Sequence, residues 1–126
     1  MNERELIERA LEMKKAAYAP YSHFQVGAAV LAASGKVYGG ANVENASYGA
    51  TICAERSAIA AAVNAGERKL TALAVTETPC GVCRQVMREF CDPAAFKVIV
   101  AKTTDDFKAF TLAELLPESF GPASLV

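Results

Sequence analysis

Residues 70–101, LTALAVTETPCGVCRQVMREFCDPAAFKVIVA, contain the pattern that decides the fold. The apolar runs at 70–75 and 97–101 have the length and composition of buried strands. Between them, the segment that begins near Thr78-Pro79 has an N-cap residue followed by proline, which predicts the start of a helix. A strand, a helix and a second strand predict a right-handed crossover between parallel neighbours, so the sheet is at least partly parallel.

Five further patterns flank this unit: an amphipathic helix, a hairpin, an alanine-rich helix closed by Gly66, a weak strand and a short helix. They lie at residues 3–17, 24–38, 53–65, 107–111 and 112–116. The hairpin strand is predicted to begin at Phe24, and Gly39-Gly40 is expected to loosen the end of its partner. We expect a three-layer α/β/α fold with a mixed sheet of about five strands, in a single domain spanning 1–126.

The composition excludes several classes of function. The chain has 13 Lys+Arg, 14 Asp+Glu and a formal net charge of −1, without a basic block that could follow a phosphate backbone, which disfavours nucleic-acid partners. No apolar stretch has the length of a membrane span or of a signal peptide, so we expect a cytoplasmic protein without a membrane partner. The apolar fraction of 52% indicates that some of the surface meets another subunit.

Three of the four cysteines stand at the starts of predicted helices. Cys80 and Cys83 are spaced as C-x-x-C, which lets both sulfurs bind one small ion but also occurs in thioredoxin-like redox sites. Cys53 begins another helix. The three thiols could therefore converge on one zinc ion and leave its fourth position to water, as in a catalytic site.

Two alternatives stay open for these thiols: a structural zinc site completed by Cys91, and redox-active or plain buried cysteines. If the helix continues, Cys91 lies about 12 Å beyond Cys83 along its axis, so we expect it in the core. His23, the only histidine, is expected at the surface and not on a metal.

Glu55 follows Cys53 by two residues and points in a different direction along the predicted helix. Beside a zinc-bound water, a carboxylate that is not itself a ligand can carry the proton from the water to the leaving group. The alternative is a solvated glutamate on the helix surface. Arg56 is expected to hydrogen-bond the thiolates and offset their charge, rather than to be a surface charge.

Five short motifs accompany these residues, and the pattern to which they belong extends from about residue 18 to 121, nearly the whole chain. They are Phe24-Gln25-Val26-Gly27-Ala28-Ala29, Asn42-Val43-Glu44-Asn45, Cys53-Ala54-Glu55-Arg56, Pro79-Cys80-Gly81 and Cys83-Arg84-Gln85-Val86. With cysteine where many deaminases carry histidine, the set resembles the small homotetrameric cytidine deaminases that act on free nucleosides.

The resemblance implies a chemistry and a metal. Cys53, Cys80 and Cys83 would bind one Zn²⁺ per subunit, and Glu55 would be the catalytic proton carrier. The implied reaction is hydrolytic deamination of cytidine and 2′-deoxycytidine to uridine and 2′-deoxyuridine with release of ammonia, in pyrimidine salvage.

The resemblance also implies the substrate contacts. Asn42 and Glu44 would hydrogen-bond the ribose, Phe24 would contact the base, and the backbone at Ala54 and Pro79 would read the ring and its leaving amine. The alternatives are a core residue for Phe24 and ordinary loop residues for the ribose pair.

Further positions follow from the same resemblance. Gln85 would support the thiolates. Phe120, at the end of the segment Leu115-Leu116-Pro117-Glu118-Ser119-Phe120, would cover the base in the site of a neighbouring subunit, and Ala46 and Tyr48 would also reach across subunits. The alternative is a hydrophobic tail that docks on its own domain.

Two other functions stay open. One is a deaminase for a modified or antibiotic aminopyrimidine nucleoside, and the other is a non-catalytic interaction module stabilised by zinc. Only Thr76-Glu77-Thr78 separates the strand at 70–75 from Pro79, where many relatives have a longer segment, so the rim of the pocket is expected to differ.

Overall fold

One five-stranded sheet organises the fold. In the computed structural model, which describes residues 2–125, the strands are β1 (Gly27–Ala32), β2 (Val37–Ala41), β3 (Leu70–Val75), β4 (Lys97–Ala101) and β5 (Phe107–Thr111). Their order is β2-β1-β3-β4-β5. The β3–β4 pair is parallel, as the crossover pattern predicts, and the other neighbouring pairs are antiparallel. The predicted mixed sheet is confirmed.

Four α-helices cover the two faces of the sheet. They are α1 (Glu3–Met13), α2 (Ala54–Asn64), α3 (Gly81–Glu89) and α4 (Leu112–Leu115). Leu6 and Ile7 of α1 are buried against one face, and the buried residues of α2, α3 and α4 form a larger core on the other. The three layers are therefore α/β/α. None of the helices described in this range is long and apolar enough to span a membrane.

Strand β1 is buried on both faces because successive side chains of a strand point to opposite sides. Val30 belongs to the larger core, and its neighbour Ala29 to the smaller one. The prediction that this strand begins at Phe24 is wrong. The Asn42 side chain accepts from the N–H of Val26 and donates to the carbonyl of Phe24, so these backbone groups do not pair with a neighbouring strand.

Helix α2 lies directly against strand β2 because Gly40 has no side chain. A Cβ at Gly40 would stand 2.3 Å from the backbone nitrogen of Ala58 and 2.7 Å from the carbonyl oxygen of Ala54. The expectation that Gly39-Gly40 loosens the end of this strand is wrong, because both glycines pair with β1. This close approach fixes the first turn of α2 on the sheet.

Helices α2 and α3 both begin at a cysteine. Cys53 is the N-cap of α2 and Cys80 the N-cap of α3, and neither side chain makes a capping hydrogen bond. The prediction that α3 is capped at Thr78 is wrong. The backbone of Cys80 is still extended, and its carbonyl accepts the first helical hydrogen bond from the N–H of Arg84. As predicted, Gly66 follows the end of α2, with a φ of 99° that favours glycine.

Candidate functional site

The two helix starts bring three thiols together. The Sγ atoms of Cys53, Cys80 and Cys83 all lie within 4.8 Å of one another, and those of Cys80 and Cys83 are 3.3 Å apart. Cys53 and Cys80 are the cap residues, and Cys83 lies in the first turn of α3. The predicted convergence of two segments on one point is present in the structure.

These thiols fit a zinc ion. Zn–S bonds of about 2.3 Å in tetrahedral geometry separate two ligand sulfurs by about 3.8 Å, close to the spacing found here. Between residues 2 and 125 this is the one cluster of three or more ligand side chains that could hold a metal. Cys91 is not part of it: its half-buried side chain packs against the larger core, where burial raises the pKa of the thiol to about 11.

The surroundings favour ionisation of one thiol over another. Burial opposes ionisation of Cys80, but hydrogen bonds from the backbone N–H groups of Cys83 and Val82 and from neighbouring thiols outweigh it, so the Cys80 pKa is lowered. Burial raises the pKa of Cys83, and the nearby Glu55 carboxylate raises it further. A bound cation would oppose this effect, because it favours the thiolate form.

Arg56 places its positive charge beside the cluster. Its Nη2 donates to the Cys53 sulfur at 3.5 Å and to the carbonyl of Thr51 at 2.9 Å. The Cys53 contact, more than any other, raises the pKa of the guanidinium. Its Nε is buried without a hydrogen-bond partner within the described part of the chain. The contact expected for Arg56 is present.

Glu55 is a buried carboxylate next to the thiols. It lies in the first turn of α2, and only 4% of its surface is exposed, which excludes a solvated residue on the helix surface. Burial raises its pKa, against the opposing effects of its own backbone N–H, the Cys83 thiol and Arg56. A raised pKa makes this carboxylate a stronger proton acceptor, as a group that takes up and returns a proton requires.

A cleft of about 250 Å³ opens onto this carboxylate. Seven of the residues singled out in the sequence line it: Phe24, Asn42, Glu44, Cys53, Ala54, Glu55 and Cys80. Phe24 is 53% exposed at the cleft, so it is not a core residue. The cleft therefore brings the thiols, the buried acid and an aromatic ring to one place.

Asn42 holds the wall of the cleft. Its Oδ1 accepts from the N–H of Val26 at 2.9 Å, and its Nδ2 donates to the carbonyl of Phe24 at 2.8 Å. With 7% of its surface exposed, it is not an ordinary solvated loop residue. Both polar atoms keep one further hydrogen-bonding position.

Glu44 is anchored just as firmly. Its Oε1 accepts from the N–H groups of Tyr21 and Ser22 at 3.0 and 3.2 Å, and its Oε2 accepts from the Ser22 hydroxyl. The hydroxyl contact is the largest cause of its lowered pKa. Three of the roughly four acceptor positions of the carboxylate are thus occupied, which leaves one for a ligand.

Comparisons with known proteins identify the family. The family model described as the cytidine and deoxycytidylate deaminase zinc-binding region matches residues 1–101. The chain belongs to the cytidine and deoxycytidylate deaminase family. The cytidine deaminase of Halalkalibacterium halodurans is 48% identical over 126 residues, covering 95% of each chain. That of Sporosarcina psychrophila is 44% identical over 131 residues, covering 99% of this chain and 96% of its own.

The fold of this deaminase is also that of a solved relative. The crystal structure of cytidine deaminase from Burkholderia pseudomallei aligns with a TM-score of 0.89 at 44% sequence identity. The alignment covers 95% of this chain and 100% of that chain. The family resemblance and the α/β/α fold expected from the sequence are confirmed.

Two residues of this deaminase make contacts that the sequence does not indicate. The carbonyl of Pro79, implied to read the leaving amine, accepts from Arg84 Nε at 2.9 Å. Gln85, expected to support the thiolates, makes no side-chain hydrogen bond to a thiol within the described residues. Its exposed side chain donates instead to the carbonyl of Phe120 at 2.7 Å.

The positions implied to reach across subunits lie on the surface of this deaminase. Ala46 is exposed, and Tyr48 and Phe120 are exposed by 69% and 59%. The ring of Tyr48 packs on that of Tyr21 with centroids 5.3 Å apart. The tail does pack on its own domain through Leu115 and Leu116, which contact the larger core, whereas the Phe120 ring stays mostly exposed. His23 is exposed, as expected.

Sequence reasoning missed two residues of this deaminase site. Ser22 lines the cleft and holds Glu44, but a single serine in a loop gives no signal of such a role. Arg84 stands inside one of the quoted motifs without a role assigned to it, and its contact with Pro79 appears only in three dimensions.

Proposed function

We propose that this chain is a zinc-dependent hydrolase of the cytoplasm, acting as a single domain. It converts cytidine and 2′-deoxycytidine to uridine and 2′-deoxyuridine with release of ammonia, as a step of pyrimidine salvage. The observation that carries the proposal is a buried carboxylate, Glu55, beside three clustered thiols at the base of a cleft.

Cys53, Cys80 and Cys83 would hold one Zn²⁺ per subunit. Bound there, the ion supplies Lewis acidity that lowers the pKa of a water molecule and makes it a nucleophile near neutral pH. Three thiolates donate much negative charge, which weakens that effect. Arg56, in contact with the Cys53 sulfur, offsets part of this charge.

Glu55 moves the protons of the reaction. Its carboxylate takes a proton from the attacking water and gives it to the ring nitrogen next to the amine-bearing carbon. It then takes the proton of the new hydroxyl group and gives it to the leaving amine. A C–O bond forms, the C–N bond breaks and ammonia leaves, so Glu55 ends in its starting state.

The remaining contacts position the nucleoside. Asn42 offers one donor and one acceptor, and Glu44 offers one acceptor, which suits the hydroxyl groups of a ribose. Because other hydrogen bonds already fix both side chains, little conformational entropy is lost when the sugar binds. Phe24 contacts the base, and the backbone at Ala54 and Pro79 reads the ring and its amine.

A second copy of the chain completes the pocket. The exposed rings of Tyr48 and Phe120, with Ala46, support a homotetramer in which Phe120 covers the base in a neighbouring site. Burying exposed aromatic rings is a common source of stability at such interfaces. The proposed partners are thus a pyrimidine nucleoside and further copies of this chain, without nucleic acid or membrane.

Turnover and metal content test this proposal together. Purified protein is incubated with cytidine, and the loss of ultraviolet absorbance on conversion to uridine is followed before and after chelation. We expect activity that disappears with the metal and returns with added zinc. Full activity of metal-free protein would refute the mechanism.

A substrate panel separates the alternatives. It includes 2′-deoxycytidine and cytidine analogues that are modified on the base or the sugar. Turnover of a modified nucleoside alone would indicate the second enzyme class, and zinc binding without any turnover would indicate an interaction module.

A further inference from the structure

One face of helix α3 holds the C-terminal segment, defined as residues 115–121. Three side chains of the helix donate hydrogen bonds to it: Arg84 Nη1 to the Leu115 carbonyl (2.8 Å), Gln85 Nε2 to the Phe120 carbonyl (2.7 Å) and Arg88 Nε to the Ser119 hydroxyl (2.8 Å). A Cβ at Gly121 would lie 2.6 Å from Arg88 Cζ, so the segment packs closely on this face.

Arg84 differs from the other two because it also contacts the wall of the cleft. Its Nε donates to the carbonyl of Pro79 at 2.9 Å. Pro79 is fully buried, and the residues on either side of it, Thr78 and Cys80, line the cleft. One guanidinium group therefore connects the cleft wall to the C-terminal segment.

The chemistry of arginine suits this connection. A guanidinium group is planar and carries its N–H donors in a fixed arrangement, so two carbonyls bound by one group are held at a defined separation. Half-burial of Arg84 limits competition from water. A lysine has a single point of charge on a flexible stem and cannot hold two carbonyls in this way.

We propose that Arg84 is a positioning residue that fixes the cleft wall at Pro79 and the C-terminal segment relative to each other. The inference rests on the proposed function, in which Phe120 covers the base in a neighbouring site. Arg84 then acts on two sites. Through Pro79 it places the residues beside the reacting atoms of its own cleft, and through Leu115 it places the aromatic ring over a neighbouring cleft.

Arg84→Met and Arg84→Lys test the inference, with Arg88→Met as the matched control. Arg88 has the same chemistry and holds the same segment through Ser119, but it has no contact with Pro79. We expect both Arg84 variants to lose about tenfold in kcat, because small displacements near reacting groups reduce rates strongly. Arg88→Met should raise KM and change kcat by less than about twofold.

Three outcomes would overturn the inference. They are a kcat in both Arg84 variants within about twofold of wild type, an equal loss of kcat in Arg88→Met, and full recovery of kcat in Arg84→Lys. The last would show that one cationic contact is enough. Zinc content and cooperative thermal unfolding are measured for every variant. If Arg84→Met does not fold, the kcat of Arg84→Lys alone decides the inference.

A spectroscopic measurement keeps this test separate from the proposed function. The chain has no tryptophan, so Phe120→Trp introduces a single tryptophan into the C-terminal segment, and it can be excited at wavelengths where the four tyrosines absorb little. Adding Arg84→Met to this variant should shift its emission to longer wavelength and increase quenching by acrylamide. An unchanged spectrum would overturn the inference. If wild-type protein has no turnover of cytidine, the proposed function fails, and fluorescence alone decides the role of Arg84.

Discussion

Replacing Glu55 by glutamine should abolish turnover and leave the fold and the metal in place. Glutamine has nearly the shape of glutamate but cannot accept a proton from water. The other carboxylates along the cleft, Glu44 and Glu77, do not replace it: Glu44 is engaged with Ser22, and Glu77 is exposed and accepts from the N–H of Thr78. The variant therefore removes the buried proton carrier without a substitute.

The size of the effect follows from the number of proton transfers. One transfer by a positioned side chain contributes about 10² to 10⁴ in rate, and Glu55 carries protons both to the ring nitrogen and to the leaving amine. We therefore expect a loss of about 10⁴ in kcat, equivalent to about 5 kcal/mol of transition-state stabilisation. The unfolding temperature should not fall, because a neutral amide costs less to bury than a carboxylate.

Turnover of cytidine by absorbance and zinc by elemental analysis are measured on the same preparation. Glu89→Gln is the control, since Glu89 is an exposed glutamate of α3 outside the cleft, and its loss tests the effect of removing one negative charge. A Glu55→Gln variant that contains zinc and retains activity within about tenfold of wild type would refute the role of Glu55.

Three further predictions concern the thiols, the cleft and the fold. Cys91→Ala should keep both zinc content and turnover, because Cys91 lies outside the thiol cluster; loss of zinc would restore the structural-site alternative. Glu44 has a folded-state pKa below its usual 4.5, so its stabilising effect is complete above that pH and is lost as the pH falls through the folded value. Glu44→Gln should therefore show a smaller fall in unfolding temperature on acidification, and an unchanged fall would contradict this. Gly40→Ala should destabilise the protein by about 1–3 kcal/mol in denaturant unfolding, since the new methyl group meets the backbone of Ala58. It should also lower turnover by shifting the first turn of α2, and a fully stable variant would show that the helix yields easily.

Much of the fold could be predicted from local patterns. The strands at 70–75 and 97–101 have the predicted bounds because their apolar runs are flanked by polar residues, and the weak strand at 107–111 also has its predicted bounds. The start of β1 could not be predicted in this way. Apolar residues continue upstream to Phe24, and the Asn42 amide that binds the backbone there is distant in sequence.

The site could also be predicted only in part. The C-x-x-C spacing predicts that Cys80 and Cys83 lie at one site, and the position of Cys53 at a helix start indicates the third thiol. The hydrogen bond from Gln85 to the Phe120 carbonyl could not be predicted, because it joins two residues that are distant in the sequence. The role of Arg84 could not be predicted, because it binds the backbone carbonyls of Pro79 and Leu115. A backbone carbonyl is present at every residue, so a sequence motif does not indicate such a contact.

The cysteines at the starts of α2 and α3 are both helix N-caps and proposed metal ligands. Serine, threonine or aspartate at Cys53 or Cys80 would be a better helix cap and would add about 1 kcal/mol of stability. The same replacement would remove a soft sulfur donor from the proposed centre. At these two positions, selection for a more durable protein and selection for a working one act in opposite directions. Thermostable variants of this chain should therefore be sought elsewhere.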